Sequence, residues 1–138
     1  DIIVGFPGEE EEDFEETIKV LNAVKFDNMF SFRYSDRSGT TASQMKNKIE
    51  EKVKAERLKI LQESQKVITR MKNMELFDKT CEILVDGKGK SGLNQFSGRT
   101  SCNRVVNFPG SDDLMGKLID VVIEKVYQNS LVGRVISC

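Results

Sequence analysis

Arg99, Asn103 and Arg104 stand close together near Gly98 and Thr100, bringing two guanidiniums and an amide to one turn. Planar guanidinium forks pair with phosphate oxygens and stack on exposed bases, so this group is a candidate contact for nucleic acid. Ordinary surface polarity, with Asn103 supporting the turn, is the competing reading. Lys88 and Lys90 add two amines in the run Gly87-Lys88-Gly89-Lys90-Ser91-Gly92. That run has the glycine spacing of a dinucleotide loop, but Leu93 to Gly98 lacks helical periodicity, and no helix N-terminus would face a pyrophosphate. Nor does the run have P-loop spacing. It reads as a hairpin tip whose lysines can reach an RNA backbone.

Other chemistry is excluded by what is missing. The 138 residues contain no histidine, which removes Cys/His zinc sites, Ser-His-Asp triads, Cys-His dyads and histidine general bases. Cys81, Cys102 and Cys138 are separated by 21 and 36 residues, spacings that fit no cluster loop, and are read as structural or incidental. The acidic run Glu9 to Asp13 is expected to compensate a helix dipole on a solvated face, without a metal or substrate role.

These side chains need elements to position them. With 38% hydrophobic residues, 31% charged and 2 Pro, the composition is that of a soluble folded chain. No stretch is apolar enough for a membrane span and no secretion signal opens the chain, so the expected localisation is cytoplasmic. Residue 1 is Asp, and it runs straight into the β-branched Ile2-Ile3-Val4, which reads as the back part of a longer protein. A strand at Ile2 to Phe6, a helix with Phe14, Ile18, Leu21 and Val24 at helical spacing, and a strand over Asn28 to Tyr34 form a βαβ unit. A long helix follows from Ile49 to Met71. One apolar line holds Val53, Ile60, Val67 and Met71, a neighbouring one Leu58, Leu61 and Ile68, and the remaining face is basic enough to touch phosphates or simply be solvated. From Thr80 onward the period becomes two. Strands at Thr80 to Asp86, Leu93 to Arg99, Arg104 to Phe108, Lys117 to Tyr127 and Leu131 to Ile136 predict a small antiparallel barrel of about five strands.

Charge follows the same divisions. Residues 1–42 carry 4 basic and 10 acidic groups, a net of -6; residues 43–72 carry 9 and 4, a net of +5; residues 73–138 carry 8 of each. The expected class is α+β, with residues 1–72 forming a β/α portion plus linking helix and residues 73–138 a β-barrel domain.

Asp1-Ile2-Ile3-Val4-Gly5-Phe6-Pro7-Gly8-Glu9, then Glu12-Asp13-Phe14, then Phe32-Arg33-Tyr34-Ser35 with Arg37, Gly39, Thr40 and Ala42, resembles the last strand–helix–strand portion of radical SAM methylthiotransferases. The second half, through Gly98-Arg99-Thr100, Asn103-Arg104-Val105-Val106, Phe108-Pro109-Gly110, Ser130-Leu131 and Gly133, resembles their OB-like TRAM domain. It is most similar to the branch acting on isopentenyl-adenosine in tRNA. The resemblance implies a partial β/α barrel that uses S-adenosylmethionine on a four-iron four-sulfur cluster and inserts a methylthio group on an adenosine next to the anticodon. By position, Ile3, Val4 and Gly5 would flank the adenine of S-adenosylmethionine, with Tyr34 at the neighbouring strand end; barrel core is the other reading of Ile3 and Val4. The family's Cys-x-x-x-Cys-x-x-Cys motif is absent here. The chain alone is therefore expected to bind neither cofactor and to be inactive, although the parent is an enzyme. Asp78 also departs from the family, standing where a glycine turn is expected.

The implied partners are the tRNA anticodon arm and the missing amino-terminal domains, with no membrane and no DNA. Arg99, Asn103, Arg104, Lys88 and Lys90 would contact phosphates or splayed loop bases. A different reading makes the barrel a protein-docking module of a methylthiotransferase acting on a ribosomal protein or on threonylcarbamoyl-adenosine tRNA, and the neutral balance of residues 73–138 leans towards it.

Overall fold

Ile2-Ile3-Val4 and Ser31-Phe32-Arg33 are short β-prone runs that pair in parallel as β1 (Ile2–Val4) and β2 (Ser31–Arg33), with Ile3 opposite Phe32. A parallel pair needs a crossover, supplied here by helix α1 (Glu11–Val24). The computed structural model describes residues 1–89 and 94–137, and the chain divides into two units, 1–69 and 70–138.

In the first unit α1 opens with acidic residues at its positive end, and the Asp13 carboxylate accepts the Glu10 N–H at 2.9 Å. It ends at Lys25, whose φ of 53° breaks the helix. Phe14 and Leu21 bury one face of α1 against Val4, Leu61 and Ile68. After the short helix α2 (Thr41–Gln44), capped by the Thr40 hydroxyl, comes α3 (Glu51–Met74), whose last turn belongs to the second unit.

The two apolar lines expected on α3 do not form one buried stripe. Leu61 and Ile68 are buried and Leu58 partly so, whereas Ile60, Val67 and Met71 are 42%, 61% and 53% exposed. Adjacent positions on a helix differ by about 100° in direction, so only one line can face the core. The buried side also carries Lys54, Arg57 and Gln65. Gln65 donates to the Phe26 carbonyl at 2.7 Å, so its burial is matched by a partner.

The second unit is a closed barrel of β3 (Thr80–Lys88), β4 (Gln95–Thr100), β5 (Val105–Pro109), β6 (Leu118–Val126) and β7 (Leu131–Ser137), in the order β3-β4-β5-β7-β6. The expected antiparallel barrel is corrected to a mixed one, because β5 and β7 pair in parallel through Val106 with Leu131 and Asn107 with Val132. Five strands that alternate in direction cannot close a ring without one like pair. That pair falls where the segment carrying the 3-10 turn Asp112–Leu114 crosses from β5 to β6.

Period-two alternation sends Ile83, Val85, Phe96, Val106, Phe108, Ile119, Val121, Ile123 and Leu131 inward to form the core. Gly98 permits the close approach of β3 and β4: a Cβ there would lie 2.6 Å from the Leu84 carbonyl oxygen. Asp78, the departure from a glycine turn, adopts φ 60° and donates its N–H to the Ile123 carbonyl at 2.9 Å. Aspartate is among the few residues that tolerate this left-handed conformation. No described helix is long and apolar enough to cross a membrane.

Candidate nucleic-acid interface

The turn from β4 to β5 is built by its own sequence. Asn103 takes the left-handed conformation at φ 61° and donates its N–H to the Thr100 carbonyl at 2.8 Å. The Thr100 N–H donates to the Arg104 carbonyl at 3.0 Å, and the Arg104 N–H to the Thr100 hydroxyl at 3.1 Å. Arg99 donates from Nη1 to the Asn103 side-chain oxygen at 3.0 Å and from Nε to Asp86 at 3.1 Å. Arg104 does not join them: its Nε donates to the Asn73 side-chain oxygen at 2.9 Å, towards the last turn of α3. Of the expected trio, the fold brings Arg99 and Asn103 together and assigns Arg104 to a different contact.

Arg99 and Lys88 share the rim of a groove of about 680 Å³ on the outside of the barrel. Its floor follows from the register. Ser97 lies opposite Asn107, Asn107 lies beside Val132, and Arg99 lies opposite Val105, all on the outward side of β4, β5 and β7. Gln95 extends this row, and Tyr127 and Ser130 border the groove from the β6–β7 turn. Lys88 pairs with Asp112 at 2.7 Å and lies 5.9 Å from the Phe96 ring centre. Lys90 lies outside the described residues. Both described cations are held by exposed carboxylates, Asp86 and Asp112, in ion pairs of the weak surface kind that phosphates can displace. Gln95, Ser97, Asn107 and Tyr127 were missed from sequence as site residues. The alternation that places Phe96 and Val106 inward already puts their neighbours outward, but which outward face carries a groove depends on the parallel seam.

A second concavity, of about 480 Å³, lies in the first unit and is lined by Ile3, Phe6, Phe32 and Tyr34, with Arg37 and Thr40 among its polar residues. Phe6 and Tyr34 meet edge to face at 5.2 Å, and the Tyr34 hydroxyl donates to Asp36 at 2.9 Å. Lys48 reaches the same carboxylate and lies 5.3 Å from the Tyr34 ring centre. Hydrogen bonds from Lys48 and then Tyr34 hold the Asp36 carboxyl below its ordinary value, and partial desolvation, foremost, raises the Tyr34 phenol.

Ile3 and Tyr34 therefore line the cleft, whereas Val4 and Gly5 do not. Val4 is fully buried in the core, and its carbonyl accepts the Tyr34 N–H at 2.8 Å. Gly5, at φ 72°, is covered by the Lys54 stem, and a Cβ there would lie 2.1 Å from Lys54 Cγ. The Gly5 N–H donates to Glu9, whose carboxylate is also bound by the buried Arg57 at 2.9 Å. The expectation of a solvated acidic run is thus corrected at Glu9, which is a half-buried clamp; Glu10 to Asp13 are exposed, and Glu11 also accepts from Arg57 at 3.1 Å. Apolar walls with hydroxyls at the rim suit a flat heterocycle bearing a sugar. Among the described residues, no group of three His, Cys, Asp or Glu is placed to hold a metal ion. Cys81 is half-buried, which raises its thiol pKa, Cys102 is exposed, and Cys138 lies outside the described residues.

A closed five-stranded barrel with cations, amides and an exposed aromatic on one outer face defines the class of small β-barrel binding domains, and residues 78–136 match the TRAM domain family. Over 136 residues, 99% of the chain, the sequence is 47% identical to the tRNA-2-methylthio-N(6)-dimethylallyladenosine synthase of Syntrophus aciditrophicus (strain SB). It is 46% identical, over the same share, to the proteins of that name from Acetivibrio thermocellus and Escherichia coli O139:H28. The chain is homologous to the carboxy-terminal part of these synthases and spans about 30% of the length of the first of them.

Proposed function

We propose that this chain is the carboxy-terminal part of a radical SAM methylthiotransferase that adds a methylthio group to isopentenyl-adenosine next to the tRNA anticodon. In this reading residues 1–72 complete the β/α barrel of the parent, and residues 73–138 grip the anticodon arm. The observation that carries it is the outer groove of a TRAM barrel, where Arg99 and Lys88 stand over a polar floor of Ser97 and Asn107. Small β-barrels hold RNA in this way, with cations on the backbone and polar or aromatic groups on unstacked bases. Asn103 orients Arg99, and Arg104 sets the turn through Asn73.

The cleft beside Ile3 and Tyr34 would take the nucleoside half of S-adenosylmethionine, a cofactor whose reductive cleavage supplies the radical in this family. The iron–sulfur clusters would be held by cysteines outside these 138 residues. The parent is expected to work in the cytoplasm, where its tRNA substrate resides.

The test is binding of the 138-residue chain to a fluorescent anticodon stem-loop with an unpaired adenosine, against a scrambled hairpin, over a range of salt. The stem-loop is expected to bind more tightly, and Arg99→Ala to weaken binding and reduce the salt slope by about one. Equal affinity for both hairpins, or an Arg99→Ala variant with unchanged affinity and slope, refutes the reading and leaves the barrel as a protein-docking module.

A further inference from the structure

Tyr127 is an aromatic residue bordering the outer groove, and it is 53% exposed although it follows Val126, which packs against the barrel core. Its backbone is held from two sides. The Tyr127 N–H donates to the Ser130 carbonyl at 2.9 Å, closing the β6–β7 turn. Its carbonyl accepts from the Asn73 side-chain nitrogen at 3.2 Å, and the same nitrogen lies 3.3 Å from the Gln128 carbonyl. Asn73 is only 4% exposed, and its side-chain oxygen accepts from Arg104 at the end of the β4–β5 turn. One buried amide therefore ties the β6–β7 turn that carries Tyr127 to the β4–β5 turn that follows Arg99.

An exposed ring on a fixed backbone loses little conformational freedom when a flat partner settles on it. The amide of Asn107 lies on the groove floor, within a polar row that includes Ser97. Cations at the rim, an amide on the floor and an aromatic face at one wall are the three components that single-stranded RNA recognition requires. A volume of about 680 Å³ is also within the range of sites that enclose a small ligand, roughly 300–1,000 Å³.

We infer that Tyr127 is a stacking platform for one unpaired base of the bound RNA, with Asn107 facing the edge of that base and Asn73 holding the platform in place. This deepens the proposed function and rests on it. An unpaired base is singled out because a paired one has no free face to offer.

The experiment combines protein and RNA changes. The 138-residue chain, Tyr127→Ala and Tyr127→Phe are titrated with the anticodon stem-loop and with the same hairpin made abasic, one unpaired loop position at a time. Tyr127→Ala is expected to bind the intact hairpin about tenfold more weakly with an unchanged salt slope, and Tyr127→Phe to bind nearly as the unaltered chain. At one loop position, removing the base should weaken the unaltered chain by a similar factor and leave Tyr127→Ala no weaker than before. A merely structural role for Tyr127 would not produce that coupling. The inference is overturned if Tyr127→Ala binds as the unaltered chain does, if Tyr127→Phe is as weak as Tyr127→Ala, or if the two losses multiply at every position. Absence of binding by the unaltered chain, seen before any variant is compared, overturns the RNA reading itself and this inference with it.

Discussion

Residues 70–138 close a sheet on itself, whereas residues 1–69 leave one face of a two-stranded sheet open. In the barrel every strand has a neighbour on both sides, and ten of the described residues form a core without a charge among them. In the first unit five residues form the buried core, while Ile3 and Phe32, paired across β1 and β2, stay 56% and 55% exposed. The missing apolar closure is matched by a polar interior: Arg57 on Glu9, the Lys54 stem over Gly5, and Gln65 on Phe26. A closed barrel is stabilised by burial spread over many side chains. An open β/α unit depends on a few buried charges, each of which is costly to leave alone.

The sharpest way to break this comparison is to damage each unit separately. Phe108→Ala removes a fully buried ring from the barrel and is expected to cost about 3–5 kcal/mol there. Arg57→Met, which takes the buried guanidinium from the half-buried Glu9 carboxylate and leaves it only the Gly5 N–H, is expected to cost the first unit about 1–3 kcal/mol. Amide hydrogen exchange resolves the two. Phe108→Ala should deprotect β3 to β7, and Arg57→Met should deprotect β1, β2 and α1. Equal deprotection of both units by either change would mean that they unfold as one.

Acid distinguishes the units more gently. The Asp36 pKa is depressed, chiefly by the Lys48 hydrogen bond, so its contribution is present above the ordinary aspartate range and is lost as pH falls through the depressed value. Below about pH 4 the rim of the cleft around Tyr34 should loosen while the barrel core, whose described buried residues carry no carboxylate, keeps its exchange protection. An Asp36→Asn variant that loosens at the same pH as the unaltered chain would remove Asp36 as the cause. The smallest change expected is a gain. Asp78→Gly relieves a left-handed aspartate and should stabilise the barrel by up to about 1 kcal/mol, read from the denaturation midpoint. A loss would show that the Asp78 side chain contributes to the turn.

Much of this was legible in the chain itself. The βαβ order, the long helix and all five barrel strands follow from spacing, because helix and strand periods are local properties. Arg99 and Asn103 could be recognised as a pair because one turn joins them. Arg104 could not be separated from them, since its partner Asn73 lies 31 residues away on another element. Tyr127 looked like the end of a strand until the β6–β7 turn placed it beside β5 and β7.

By itself, then, the sequence determined the order of the main helices and strands and the homology to the carboxy-terminal part of tRNA methylthiolating synthases. Tertiary structure alone decided which line of α3 is buried, that Glu9 is a clamp and not a solvated charge, that one barrel seam is parallel, and which outward residues share a groove. The physical reason is the range of the interactions. Backbone periodicity is set by neighbours three or four positions away, whereas the Glu9–Arg57 contact spans 48 residues and the Asn73–Tyr127 contact 54, and only a folded chain brings such groups within hydrogen-bonding distance.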